Sequence, residues 1–481
     1  MDKINTIKQV RQILLRESGL EDISKIELTS SLTDDLGLDS LDRVETIMRL
    51  EEEFDLTLEE HEGDFKTVQD VVNKVQYLLE NQTEEHTHSI SIPRKHNDFY
   101  SRLKIDKRDV ERTGFNPYYM AVETGLGRKI TIEGKELISF GSNDYLGIAN
   151  SPELKNAAQK ALEEYGVSMC GTPIVVGQTN LNKALEKRIA EFLDKEEALV
   201  FPSGYQANVG IFQILASRGD TIIADKFVHS SLLSGINLSK AKTRLFNHND
   251  MNDLEKILKE TSSGMRFIVV EGLYSTEGDT APLDALTNLA KKYDSFVIVD
   301  DAHGTGVLGK NGKGTAEQFG VSDQIDMITG SLGKALGCFG GFIATNSDIA
   351  DSFRYKLGSL IYSTALPPAM AAASLVSVDI VEKADSRRER LYKNKEVMYD
   401  SLKEMGYNLT PSSTPLFSVL LGSNLKALEM TRDLYKKGVY GTPFLTPSVP
   451  KGRALIRFIP HANLTEGDLS RAIDVFREIK K

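Results

Sequence analysis

The runs TIIAD (221–225), RFIVVEG (266–272) and SFVIVDD (295–301) decide the fold of this chain. Each is short, apolar and rich in β-branched residues, and longer helical stretches separate them. Strands that read as unbroken hydrophobic runs are buried on both faces, as parallel strands are when helices cover a sheet on both sides. Gly, Pro and polar residues follow the runs, where the loops of an open α/β sheet hold ligands. The pattern predicts a large α/β domain with a mostly parallel sheet over 146–384, entered by an N-terminal arm at 98–145. Further helices and the strand-like LIRFI (455–459) predict a smaller α+β domain over 385–481.

Residues 1–80 read as a separate helical module. Ile4, Ile7, Val10, Ile13 and Leu14 form one apolar stripe at helical spacing. Leu41, Val44, Ile47, Met48 and Phe54 form a second, and Val68, Val71, Val72, Val75, Leu78 and Leu79 a third. The polar, aperiodic stretch 81–97 that follows reads as a linker. Charge divides along the same line. The first 80 residues hold 9 Lys and Arg against 20 Asp and Glu, which is the entire formal net charge of −11. The other 49 basic and 49 acidic side chains cancel. A neutral body with an acidic module lacks the basic footprint that nucleic acid requires.

Two cysteines, Cys170 and Cys338, in 481 residues exclude a disulfide-stapled secreted scaffold. The opening MDKINTIKQVRQILL is amphipathic with acids close behind, unlike a secretory leader. No apolar run approaches the ~20 residues of a membrane helix. These features point to a soluble, cytoplasmic protein with no membrane span.

Two motifs carry chemistry. DDLGLDSLDRVETIMRLEEEF (34–54) places Ser40 at the start of an acidic helix whose exposed side would carry Asp42, Glu45, Glu51, Glu52 and Glu53. A serine there caps free backbone N–H groups, and capping and covalent attachment through the hydroxyl are compatible. The second motif is DMITGSLGKALGCFGGFIA (326–344), in which Lys334 sits in a turn flanked by Gly330, Gly333, Gly337, Gly340 and Gly341. Glycines let the backbone approach a bulky ligand, and a lysine of depressed pKa can form a Schiff base. Ala335 follows the lysine where a phosphate loop needs Ser or Thr, so an NTPase is rejected. Three further segments supply polar groups at strand ends and helix starts: Asp300 and His303 in FVIVDDAHGTGVLG (296–309), Ser203-Gly204-Tyr205 in FPSGYQAN (201–208), and His229 in FVHSSLL (227–233). The residues contain no metal-ligand pattern.

LGLDSL within a three-stripe module resembles an acyl carrier protein over residues 1–80. The resemblance implies a 4′-phosphopantetheine on Ser40, an all-α four-helix-type fold, and as partners a phosphopantetheinyl transferase and an acyl-loading enzyme. From about residue 100 to 481 the chain resembles the α-oxoamine synthase family of fold-type-I pyridoxal 5′-phosphate (PLP) enzymes. That family includes 2-amino-3-ketobutyrate ligase, 8-amino-7-oxononanoate synthase and serine palmitoyltransferase. SNDYLG (142–147), VDDAHGTG (299–306), TGSLGKALG (329–337), IYSTALPP (361–368) and PSVPKGRALIR (447–457) carry this resemblance.

The resemblance implies PLP as cofactor and a role for each matched residue. Lys334 is the Schiff-base lysine and acid–base at the substrate α-carbon. Asp300 pairs with the ring nitrogen, and His229 stacks on the ring. His303 and Ser275 bond the phenolic oxygen, while Ser203, Gly204, Tyr205 and Ser331 hold the phosphate. Ser363 and Thr364 come from the second subunit of a homodimer, and Arg457 with Asn143 receives the amino acid. The chain departs from the family at Thr172-Pro173 and at Asn182, where relatives carry other residues on the acyl-donor side. Cys338 stands where glycine is common and reads as a packing residue.

The implied reaction is a decarboxylative condensation of glycine, alanine or serine with an acyl thioester, giving an α-amino ketone. The thioester is carried on the protein's own carrier domain or, alternatively, on free CoA with the carrier serving another enzyme. Two readings compete with synthesis: a carrier or docking protein with an inactive PLP-fold domain, and an aminotransferase. The basic stretch 93–112, with Arg94, Lys95, Arg102, Lys104, Lys107, Arg108 and Arg112, suits either a docking patch for the acidic module or a solvated helical arm.

Overall fold

The computed structural model describes residues 3–18, 20, 22–38, 42, 46–47, 49–50, 53–54, 65–80, 103, 105 and 107–480. The chain forms two compact units, Met1–Lys104 and Ile105–Lys481.

The described residues of the first unit form helices and a turn-rich segment at 26–38. Helices α1 (Lys3–Glu17) and α2 (Val68–Glu80) pack through Val10, Leu14, Val68, Val72 and Val75, all fully buried. Ile4 departs from the expected stripe: it lies in the first turn and is 75% exposed, so the apolar face begins at Ile7. Leu38, two residues before the expected attachment serine, is buried and held by a bond from its N–H to the Leu32 carbonyl (3.0 Å). Ser40 itself lies outside the described residues, as do Leu41, Val44, Glu45, Met48, Glu51 and Glu52. Arg94, Lys95, Arg102 and Lys104 of the basic stretch also lie outside them.

The second unit is built on a seven-stranded sheet. Its strands are β1 (Glu197–Phe201), β2 (Thr221–Asp225), β3 (Lys242–Phe246), β4 (Arg266–Glu271), β5 (Ser295–Asp300), β6 (Met327–Ser331) and β7 (Gly341–Thr345). Their order is β1-β7-β6-β5-β4-β2-β3, parallel except for β7, which runs against both neighbours. The three runs that announced the fold are β2, β4 and β5, at the centre and near one edge. The reversal at β7 follows from the short turn 332–340, which cannot make the crossover that a parallel neighbour needs. GGFIA therefore begins a strand rather than continuing the glycine-rich turn. A Cβ on Gly341 would run into the backbone nitrogen of Gly204, so glycine lets helix α4 (Gly204–Leu215) start against the sheet.

Helix α3 (Asn180–Phe192) precedes the sheet and α5 (Ser230–Leu238) follows β2. The C-terminal part contains a second, antiparallel sheet ordered β8-β10-β9, from β8 (Phe417–Gly422), β9 (Thr442–Phe444) and β10 (Ala454–Phe458). Phe458 packs its ring on Phe140, Phe417 and Phe476 at 5.9, 5.8 and 5.3 Å. The hairpin 129–139 takes Val439–Tyr440 as a third, parallel strand, tying early residues to the C-terminal part.

Loops at the strand ends are anchored by buried polar side chains. Asp301, just past β5, is 2% exposed and accepts bonds from the Thr315 N–H (2.9 Å) and hydroxyl (2.6 Å). A Cβ on Gly272, Gly304 or Gly314 would collide with its carboxylate. His248 bridges Asp225 at the end of β2 (3.0 Å) and Asp279 (3.0 Å), with its ring stacked on Phe227 at 4.5 Å. Burial opposes its protonation, but the two carboxylates outweigh that and hold the imidazolium up to about 9.

Because this value lies above that of an unfolded histidine, the clamp stabilises fully below pH ~6.5 and is lost as pH rises through about 9. His248→Gln is expected to lower the thermal midpoint of the second unit at pH 6, a cost of about 1–2 kcal/mol. The difference from wild type should shrink above pH 9 in a calorimetric pH series; a pH-independent difference would exclude the imidazolium as its source.

Candidate active site

The carboxyl ends of β4, β5 and β6 bring the charged groups together. Glu271 and Asp300 are register partners at the last positions of adjacent strands, and Lys334 lies in the turn after β6. Asp300 is 5% exposed; its Oδ2 accepts from Asn208 Nδ2 (2.7 Å) and its Oδ1 from the Ala302 N–H (3.1 Å). Among the described residues it has no ion-pair partner. Burial lowers the Lys334 ammonium to about 8, against the pull of Asp300 and Glu271 and with a further push from Arg457. Burial and the adjacent Asp300 raise the Glu271 carboxyl well above its ordinary range.

Both expected histidines sit beside this group. His229 caps α5: its Nδ1 lies 2.7 Å from the Ser231 hydroxyl and accepts from the Ser231 N–H (3.3 Å). Its pKa is lowered by burial, opposed by Asp300 and reinforced by Lys334. His303 is buried, with Nδ1 2.7 Å from the Tyr145 hydroxyl. Burial, then Lys334, Arg457 and His229, keep His303 well below its ordinary range. Ser231 also accepts from Asn208 Nδ2 (2.9 Å), which links the His229 cap to Asp300.

Arg457, on β10, is 6% exposed and donates to the Ser275 carbonyl (3.2 Å) and Asn143 Oδ1 (2.9 Å), over the Phe444 ring at 4.9 Å. Every partner is neutral, so no described carboxylate pairs with this guanidinium. Ser275 thus meets Arg457 through its carbonyl, while its N–H bonds the Glu271 carboxylate.

The remaining expected residues divide. Ser203 spends its hydroxyl as the N-cap of α4, accepting from the Gln206 N–H (3.1 Å), and Ser331 accepts from the Gly333 N–H (3.2 Å). Gly204 begins α4, which presents free backbone N–H groups, and Tyr205 is exposed with its hydroxyl 3.2 Å from Ser234. Ser363 and Thr364 lie on the loop between the helices Gly358–Ile361 and Pro368–Glu382, the first half-buried and the second exposed. Asn182 is 1% exposed, closes a capping box with Thr179 and donates to the Leu366 carbonyl (3.1 Å). Cys338 is a packing residue whose thiol burial pushes up to about 11, so it is no thiolate nucleophile.

Glu271, Asn208 and Tyr145 were not singled out from the sequence. Glu271 had a signal, since RFIVVE and SFVIVD end in carboxylates at matching positions. Asn208 and Tyr145 stood inside quoted motifs, but their partners are 92 and 158 residues away.

The donor set fits PLP. A buried carboxylate without a cation suits a protonated ring nitrogen, a low-pKa lysine suits an aldehyde, and a helix start suits a phosphate. The aminotransferase class I and II family model matches residues 135–476, and that of the phosphopantetheine attachment site matches residues 8–75. The chain is 41% identical over 358 residues to an 8-amino-7-oxononanoate synthase of Geobacter sulfurreducens, covering 74% of this chain and 92% of that protein. It is 36% identical to that of Thermoanaerobacter pseudethanolicus over 381 residues, 79% and 96% of the two chains. Serine palmitoyltransferase from S. paucimobilis superposes with a TM-score of 0.77 at 29% identity, over 80% of this chain and 98% of that one. The protein therefore belongs to the aminotransferase class I and II family, as a PLP-dependent α-oxoamine synthase that carries an N-terminal phosphopantetheine attachment domain.

Proposed function

We propose that the chain condenses a small amino acid (glycine, alanine or serine) with an acyl group held as a thioester on its own carrier domain. The products are an α-amino ketone, CO2 and the free thiol of a phosphopantetheine on Ser40. The observation that carries this reading is the pair of opposite buried charges, Asp300 and Arg457, which have no ion-pair partner among the described residues and act on Lys334 with opposite sign. The carrier half is supported by the phosphopantetheine attachment match in the same chain. Residues 1–80 act as the carrier, 81–97 as its tether, and 98–145, 146–384 and 385–481 as arm, cofactor domain and small domain. A phosphopantetheinyl transferase modifies Ser40, and a separate enzyme loads the acyl group. Tethering raises the effective donor concentration to roughly the mM range.

When bound, PLP supplies an electron sink for negative charge at the amino acid α-carbon. Asp300 holds the proton of the ring nitrogen. Lys334, lowered to about 8, is partly a free amine at neutral pH; it would hold the cofactor through its aldehyde and could accept the proton of the amino acid α-carbon. His229 would cover the ring face, and His303 with Ser275 would bond the phenolic oxygen. Ser203, Gly204, Tyr205 and Ser331 hold the phosphate through α4 and the turn after β6. Arg457, supported by Asn143, receives the carboxylate of the incoming amino acid. Ser363 and Thr364 complete the site from a second copy of the chain. That arrangement is supported by the apolar surface around their loop, where Tyr362 is 85% and Val175 73% exposed.

Ser40→Ala is expected to lower turnover with carrier-loaded donor at least ~100-fold and to leave the visible band of bound PLP intact. Unchanged turnover would rule out the self-carried donor in favour of free acyl-CoA. Arg457→Ala should raise the KM for the amino acid about 100-fold, with Arg457→Lys recovering part of it; absorbance titrations with glycine, alanine and serine read this and identify the substrate. Uptake of PLP by the cofactor-free chain should accelerate as pH rises through about 8, because only the neutral Lys334 amine reacts. A midpoint near that of an ordinary lysine would contradict the placement of Lys334.

A further inference from the structure

We propose that Tyr145 is a positioning residue that fixes the proton of His303 on Nε2, so that this imidazole meets its ligand as a hydrogen-bond donor. The inference rests on the reading of His303 as a partner of the cofactor's phenolic oxygen.

The argument begins with the Tyr145 hydroxyl. Tyr145 is fully buried, and its ring stands edge-on to His303 at 6.1 Å between centroids, at 89°. Its hydroxyl lies 2.7 Å from His303 Nδ1, its one hydrogen-bond partner among the described residues. A buried hydroxyl keeps its proton in a hydrogen bond. If Nδ1 carried the imidazole proton, it would donate to the phenol oxygen and leave the phenol O–H with no acceptor. The arrangement that satisfies both groups has Tyr145 donating and Nδ1 accepting. Burial raises the Tyr145 phenol above its ordinary range, so the donor stays protonated. The groups that act electrostatically on His303 are Lys334, Arg457 and His229, all cationic or neutral, so none favours a second proton on the ring. A neutral imidazole with Nδ1 accepting carries its proton on Nε2.

The backbone makes this contact rigid. The Tyr145 N–H donates to the Asn143 carbonyl (2.8 Å), and the Tyr145 carbonyl accepts from the Ala462 N–H (2.9 Å). The residue is thereby fixed to the segment holding Asn143 and to the loop after β10. Asn143 in turn accepts from Arg457. A single short segment thus orients both the amino acid clamp and the histidine. With the opposite tautomer, Nε2 would be an acceptor facing an anionic oxygen, a repulsive arrangement.

The test uses full-length protein labelled with ¹⁵N-histidine, prepared without cofactor, and then a PLP titration. The unprotonated ring nitrogen of His303, assigned by the signal lost in His303→Asn, is expected to be Nδ1 in wild type. In Tyr145→Phe the two tautomers should mix, and the Kd for PLP should rise about fivefold, with the circular dichroism of the fold retained. A wild-type resonance with the proton on Nδ1 overturns the proposal, even if Tyr145→Phe fails to fold. So does a tautomer change that leaves the Kd unaltered. Failure of wild type to bind PLP would remove the underlying reading instead, and the ¹⁵N result from cofactor-free protein separates the two failures.

Discussion

Two opposite charges stripped of water and of ion partners, Asp300 and Arg457, are the constraint on which the site depends. Leaving an isolated ion in a protein interior costs several kcal/mol unless dipoles replace the lost water. Here they do. Asn208 and the Ala302 N–H serve the carboxylate; the Ser275 carbonyl, Asn143 and the face of Phe444 serve the guanidinium. None of these neutral partners cancels a charge. The fold holds such an arrangement because β4, β5 and β6 are flanked by fully buried aliphatic layers, Ile268, Val297 and Ile298 among them. A rigid apolar frame prevents the two ends from collapsing onto surrogate partners.

Lys334 occupies the middle ground between these charges. Burial disfavours its ammonium, Asp300 and the Glu271 side chain favour it, Arg457 disfavours it, and the balance falls at about 8. The antiparallel strand β7 matters here. It forces the chain after β6 into a tight reversal, and the lysine is carried on that reversal instead of on a mobile crossover loop.

Much of this was legible in the sequence, because its signals are local. The apolar runs TIIAD, RFIVVE and SFVIVD coincide with strands, since burial on both faces leaves no polar alternation to obscure them. Lys334, Asp300, His229, His303 and Arg457 stood out because each is a chemically distinctive residue in a conspicuous turn or strand end. What escaped notice lies in long-range pairing. β7 was hidden because GGFIA reads as turn until its pairing with β1 is known. Ile4 fits the helical period yet lies beyond the packed face. The bond from Asn182 to the Leu366 carbonyl spans residues far apart in the chain and leaves no local signal. Periodicity says which face is apolar; it does not say where the opposing surface ends.

The glycines around Asp301 have a consequence for how the protein can change over generations. Gly272 follows β4 while Gly304 and Gly314 share the segment after β5, and all three abut one carboxylate. None can acquire a side chain alone, because each added Cβ would meet the same Asp301 carboxylate. Shrinking Asp301 first would strip Thr315 of the acceptor that holds its N–H and hydroxyl. Each single step therefore costs packing or hydrogen bonds, and the four positions are exchanged without that cost only in concert. Loops at the carboxyl ends of strands are usually where a fold is freest to explore; here one buried acid withdraws that freedom from two of them at once.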